Sequence, residues 1–387
     1  MQRREMKVSV AVIEPVGGHG GMHFYDLSLC RSIVKARADA TLFTCDETPV
    51  TGTEGFPVRL PYRGIYGRSV AWVRGLRYLV GSLRALPGAR LSGHRVAHFH
   101  FFHVGALEWF NVMLARTVGL RVVITAHDVD GFNQGSSKPW FTRSAYAMAS
   151  RVIAHSQVAR RELVERLGVQ EDKLDVILHG NYVDKVPSAI TREMARARFG
   201  FSPTQRVLLF FGHIKDVKGL DVLLRGFAIA RATDPSLHLL IAGRVWKSDF
   251  SRYAALIEQH GLAPHCTLHI RYIEDAEAPY FYLCADLVVL PYLRIYQSGV
   301  VLEAMSHGSP VLVSDIPGML EVIEHGGTGF VFKSGDPQHL ALRIAEAFAV
   351  PGERAQVARA GLHAVKERND WSRLGEQAVA CYRRALA

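Results

Sequence analysis

Cysteine is scarce: five residues, at positions 30, 45, 266, 284 and 381, with no C-x-x-C pair among them. Their odd number and wide scatter argue against a disulfide framework or a zinc site and for a reducing cytoplasm. No long apolar run is uninterrupted. The most apolar stretch, residues 101–126, is broken by Glu108, Arg116 and Arg121, so no membrane span is evident. A signal-peptide cleavage pattern is also lacking at the N-terminus. The chain has no well-formed G-x-G-x-x-G, since Gly17-Gly18-His19-Gly20-Gly21 does not fit that spacing and is weak support for a dinucleotide site. Acidic residues are missing between Glu54 and Glu108, whereas eight arginines from Arg59 to Arg95 fall there.

What is present fits a globular protein of two or three domains: 387 residues, 49% hydrophobic, 21% charged, formal net charge +10. The first half opens with the strand-like Lys7–Ile13, followed by strands at 40–45, 96–101, 121–126, 151–155 and 175–178, separated by helical or turn-rich segments. The second repeats the theme at 206–212, 237–242, 266–272, 287–290 and 310–313. Strands alternating with helices imply parallel sheets, hence two doubly wound, Rossmann-like α/β domains. The join is expected near 182–205, giving domains at 1–185 and 186–370, with an amphipathic helix over 371–387.

Two runs carry the chemistry. Gln297-Ser298-Gly299-Val300 opens a helix, with Glu303 one turn in and Gly308 past its end. Free backbone amides at a helix start bind anions, and Glu303 falls about where a ribose would hang from a diphosphate held there. In Gly212-His213-Ile214-Lys215-Asp216-Val217-Lys218-Gly219 a strand ends in a loop with two lysines. Such a loop points into the crevice where doubly wound sheets bind ligands. These runs resemble the donor-binding signatures of retaining GT-B glycosyltransferases of glycosyltransferase family 4. That family has two glutamates separated by seven residues; the second matches Glu303, and the first falls on Ile295. Its Gly-Arg-x(4)-Lys-Gly pattern matches Lys218, with His213 in place of the arginine.

The resemblance implies two domains facing across a cleft, with the terminal helix crossing back to the first. It implies sugar transfer with retention from a nucleoside diphosphate sugar, with Lys218, Lys215 and the 298–300 amides holding the leaving diphosphate. His127, just past the strand 121–126, inherits a role in positioning the sugar. Gly17, Gly18, His213, Gly243, Arg244, Tyr272, Ile273, Gln297, Ser298, Gly299, Val300 and Glu303 are the remaining donor-side expectations, with Tyr272 and Ile273 near the base. No metal or other cofactor is expected, since lysines, amides and helix dipoles take a cation's place. Asp128-Val129-Asp130 is read as a chance D-x-D, and His98, His100 and His103 as strand-end residues. The rival readings are a nucleotide-sugar-binding protein that has lost transfer, a nucleotide-sugar 2-epimerase of the same architecture, and a dinucleotide oxidoreductase. Residues 69–86 form a basic amphipathic helix whose apolar side packs on the domain or lies on an anionic membrane at the cytoplasmic face, favouring a lipid-linked or saccharide acceptor. Without a recognised motif, nucleic acid is not an expected partner.

Overall fold

A computed structural model describes residues 7–18, 22–129, 139–247 and 249–387. The chain divides into two compact units, Met1–Gly180 with Asn369–Ala387, and Asn181–Arg368. The first carries seven parallel strands in the order β3-β2-β1-β4-β5-β6-β7: β1 (Ser9–Glu14), β2 (Asp39–Thr44), β3 (Val58–Arg59), β4 (Val96–Phe101), β5 (Arg121–Ala126), β6 (Arg151–Ala154) and β7 (Leu174–Val176). The second carries six, ordered β10-β9-β8-β11-β12-β13: β8 (Arg206–Phe211), β9 (Leu237–Ala242), β10 (Cys266–His269), β11 (Leu287–Leu290), β12 (Val311–Ser314) and β13 (Phe330–Phe332). Every pairing is parallel.

The central strands are buried along nearly their whole length, because helices cover both faces of a parallel sheet. In the second unit this yields two cores. One face packs Leu209, Val288 and Val313 on Phe281, Tyr282 and Met305, and the other packs Leu208, Ile241 and Leu312 on Leu223, Phe227 and Ile344. Each fully buried side chain of this kind contributes about 1.5–3 kcal/mol. In the first unit the terminal helix Trp371–Leu386 lies along the helix Met22–Lys35 so closely that a Cβ on Gly375 would meet Ser32 O at 2.5 Å. All five cysteines are unpaired.

Four elements differ from their sequence expectation. The basic helix runs over Ala71–Leu91 and passes through Pro87. Proline removes one backbone hydrogen bond there, and the helix continues because Ala85, Leu86 and Ala89 are buried on the domain. Strand β10 stops at His269, so Arg271–Ile273 are loop, fixed where the Arg271 guanidinium makes two bonds to the Glu277 carboxylate at 2.7 and 2.8 Å. Strands β3 and β13, two and three residues long, are too short to show a pattern in sequence.

Candidate functional site

Strand order β10-β9-β8-β11-β12-β13 reverses direction between β8 and β11, and the C-terminal ends flanking such a reversal form the ligand crevice of an open α/β sheet. Most of the expected donor residues lie on these ends. After β8 come Gly212, His213, Lys215 and Lys218; after β9, Gly243 and Arg244; after β10, Tyr272 and Ile273; after β11, Gln297 to Glu303. Close packing ties the loops together. A Cβ on Gly212 would lie 3.3 Å from Val300 Cγ2, one on Gly243 1.9 Å from Gly212 O, and one on Gly219 2.0 Å from Pro291 O. Gly219 has φ +64° and Gly243 φ +148°, so only glycine fits both positions.

The helix Gly299–Ser306 is capped by Ser298, whose hydroxyl accepts from Val301 N at 3.4 Å. Backbone amides at its first turn carry the positive end of the helix dipole. Lys218 Nζ lies 3.6 Å from the centre of the Tyr292 ring, and burial, reinforced by Lys215, pushes its ammonium down to about 7. Lys215 itself sits over Trp246, 4.9 Å from the ring centre. Burial and the surrounding Lys215, Arg244 and Lys218 hold the His213 imidazole down at about 4, so it is neutral at pH 7. Burial pushes the Glu303 carboxyl up to about 7 against the pull of Lys185; Asp275 raises it further, and Tyr282 OH donates to Oε2 at 3.3 Å. The site thus holds a cation and an acid that both change charge near neutrality. Tyr272 and Arg244 are exposed, whereas Ile273 is buried.

His127, Gly17 and Gly18 belong to the first unit. Gly17, at φ +62°, and Gly18 leave no room for a Cβ, which would meet Thr48 Oγ1 and Glu47 O at 2.4 Å, so the turn after β1 packs tightly on the loop after β2. Gly20, Gly21 and Asp130 lie outside the described residues. His127 sits in a buried aromatic group: Tyr25 places its ring 4.9–5.6 Å from those of His100, His127, His155, His179 and Trp371. His100 Nδ1 and His127 Nε2 are 3.1 Å apart. Burial, then the neighbouring imidazoles, holds His127 well below the usual histidine range, so it is neutral. His98 bridges Thr125 and Tyr382 at 2.7 and 2.8 Å, while His103 is exposed. Among the described residues no group of three or more His, Cys, Asp or Glu side chains is arranged to hold a metal ion.

Several participants were not singled out from sequence. Lys185 pairs with Asp275 at 3.0 Å near Glu303, and Tyr282 holds that carboxylate. Glu14, ending the apolar β1, is 1% exposed, and so is Asp26, whose two carboxyl oxygens have no partner. Burial pushes both carboxyls up; Glu108 raises Glu14 further, and Glu14 raises Asp26. An acid closing an otherwise apolar strand was the signal that could have found Glu14.

Residues 19–184 match the Glycosyltransferase Family 4 model, and residues 191–363 match Glycosyl transferases group 1. The D-inositol 3-phosphate glycosyltransferase of Segniliparus rotundus is 25% identical over 394 residues, covering 96% of this chain and 86% of the relative. The fold is similar to that of Anabaena HepE, solved in complex with UDP (TM-score 0.76, 18% identity, 96% of this chain and 98% of that one). It is also similar to the sucrose-phosphate synthase of Thermosynechococcus elongatus (TM-score 0.77, 17% identity, 98% and 99%).

Proposed function

Because the chain belongs to the glycosyltransferases, with a family 4 domain and a group 1 domain on the GT-B fold, we propose that it moves a hexose-type sugar from a nucleoside diphosphate to a saccharide or lipid-linked acceptor, with retention and without a metal ion. The observation that carries this reading is the convergence of the Lys215–Lys218 loop and the Ser298–Val300 amides at one switch point, with Glu303 beside them. The bond from sugar C1 to the diphosphate oxygen breaks with its electron pair left on the diphosphate. The acceptor oxygen bonds to C1 on the face being vacated, and its proton passes to a departing diphosphate oxygen. Lys218 and the amides stabilise the charge that grows on the leaving group, where preorganised donors are worth most. Glu303 accepts the ribose hydroxyls, and neutral His127 positions the sugar.

Incubation with UDP-, GDP- and ADP-glucose and a panel of acceptors, followed by NMR of the anomeric proton, tests the reaction. The expected product keeps the donor's configuration and disappears with Lys218→Ala; an inverted product contradicts the proposal. Relatives named for D-inositol 3-phosphate make that compound one acceptor of the panel.

No helix among the described residues is long and apolar enough to cross a membrane. Helix Ala71–Leu91, however, exposes Trp72, Leu76 and Leu83 by 72%, 54% and 52% along one side, with exposed Arg84 and Arg90. We place this face on an anionic bilayer at the cytoplasmic side of the membrane. Arg74, grouped with the patch by sequence, has a buried Nε and faces inward, so it is not part of that surface. Triple substitution of Trp72, Leu83 and Arg84 by Ser, Ser and Gln is expected to abolish co-sedimentation with anionic vesicles; unchanged sedimentation excludes this surface.

A further inference from the structure

The second unit begins with a short segment that runs along the helix carrying Glu303. Lys185 closes the single turn Val183–Lys185, and its amide donates to Tyr182 O at 2.9 Å. Tyr182 N donates to Ser306 Oγ at 3.0 Å, at the last residue of the helix Gly299–Ser306. The Tyr182 hydroxyl lies 2.9 Å from where a Cβ on Gly299 would stand, at the helix's first residue. The segment is thereby registered against both ends of that helix, with Glu303 between them. Lys185 Nζ pairs with Asp275 Oδ2 at 3.0 Å and lies 5.6 Å from the centre of the Tyr182 ring. The lysine side chain is only 18% exposed, so solvent ions screen its charge weakly.

Resting on the transfer reading above, we propose that Lys185 is a positioning residue for donor binding: pinned by Asp275 and the Tyr182 segment, it keeps Glu303 in the carboxylate form that accepts the ribose hydroxyls. Both hydroxyls of a ribose arrive as donors, and only an ionised carboxyl is acceptor-only. Burial works against that form, and the charges around Glu303 oppose one another. Lys185 pulls its carboxyl down, Asp275 pushes it up, and Tyr282 OH, from the helix Ala278–Cys284, donates to Oε2 at 3.3 Å. Tyr272, in the same loop as Asp275, feels the Glu303 charge in turn. His307 Nδ1 lies 2.9 Å from the backbone oxygen of Glu303, not its carboxyl. The helix Glu353–Arg368 meets the Glu303 helix through Gly361 at Met305 and Leu362 at Gly308, which are uncharged. Asp275 therefore has two effects on the site: it fixes the ammonium in place, and it offsets part of that charge at Glu303. Bound to Asp275, the ammonium supplies its charge without occupying the carboxylate oxygens that the ribose needs.

The test reads Glu303 in two ways in the full chain. Carbon-13 NMR of glutamate-labelled protein without nucleotide follows the carboxyl against pH, its resonance assigned by its loss in Glu303→Gln. Calorimetry with UDP-, GDP- and ADP-glucose follows donor affinity against pH. Lys185→Met is expected to move the Glu303 titration up by about one pH unit, as for loss of an opposite charge a few ångströms away, and to weaken donor binding about fivefold at pH 7, with the deficit closing as pH rises. Lys185→Arg, which keeps the charge, is expected to keep the parental titration. Asp275→Asn is expected to move the titration the other way and to tighten binding below pH 7, because it removes the charge that opposes Lys185. A merely structural ion pair would instead make both variants lose affinity alike at every pH. Shifts of the same sign in Lys185→Met and Asp275→Asn, or a deficit independent of pH, overturn the proposal. Unfolding midpoints are measured alongside; if Lys185→Met does not fold, Asp275→Asn, at a side chain 40% exposed, decides. Opposed shifts of the Glu303 carboxyl in a protein that takes up none of the three nucleotide sugars would overturn the transfer reading and leave the charge coupling of Lys185, Asp275 and Glu303 standing.

Discussion

The two sheets of this chain share the order of their first six strands, the first sheet adding a seventh at its edge, and reverse direction at the same topological point, yet the crevices that open there carry different chemistry. On the second sheet the ends of β8 and β11 present lysines and helix amides, with Glu303 in the helix that follows β11. On the first sheet the ends of β1 and β4 present Glu14, His100 and, from neighbouring helices, Arg74, Glu108 and Asn111. Parallel strands and right-handed crossovers decide where a crevice forms. The loop sequences decide what each presents: lysines and helix amides in one, and Glu14, Glu108, Arg74, His100 and Asn111 in the other.

The largest effect expected from breaking this contrast is at Lys218. Lys218→Ala should lower kcat/KM by about 10²–10³-fold, the scale of removing one group that stabilises developing charge, as read by steady-state transfer assays. The glycines come next. A Cβ at Gly243 meets the backbone oxygen of Gly212, which cannot yield, whereas one at Gly17 meets the side chains of Thr48 and Cys45. Gly243→Ala should therefore cost about 2–4 kcal/mol in denaturant titrations, and Gly17→Ala less.

A third prediction concerns pH. Lys218, at about 7 in the free protein, is ammonium below that value and loses its charge above it, so diphosphate affinity falls as pH rises past 7. Glu303, also at about 7, is a carboxylate above that value and a neutral acid below it, so its hold on the ribose weakens as pH falls. Affinity for a nucleotide sugar, measured calorimetrically, should peak near pH 7. Lys218→Met should remove the alkaline limb and Glu303→Gln the acidic one. The smallest effect is expected in the first unit. Burial holds Asp26 above its unfolded value, so the native state keeps a proton that the unfolded chain releases as pH rises through the carboxylate range, and stability falls with it. Asp26→Asn should raise the thermal midpoint by a few degrees at neutral pH, with the gain vanishing in acid.

The contrast between the crevices also separates what sequence could and could not disclose. Lys218 and Glu303 were legible because local sequence builds their setting: a strand, a turn needing Gly219, a helix start at Gly299. The strands β4, β5, β9 and β11 were legible to the residue because buried parallel strands are short apolar runs with clear ends. The first crevice is assembled from Glu14, Arg74, His100 and Asn111, which are far apart in the chain, so local sequence does not show that they meet. Arg74 even pointed the wrong way, since a basic residue on an amphipathic helix is ordinarily solvated, and only packing shows its Nε turned inward. His155 and His179 likewise join Tyr25 through three-dimensional packing alone.

The central claim, that the lysine- and amide-lined crevice is a nucleotide-sugar site, is tested most directly by a thermal-shift screen against UDP, GDP, ADP and their sugar conjugates, with and without EDTA, repeated on Lys218→Ala and Glu303→Ala. Ligands that bind only the folded protein raise its apparent midpoint. The account predicts a shift selective for one nucleotide, insensitive to EDTA and lost in both variants. No shift with any nucleotide, or one that survives both substitutions, would contradict it.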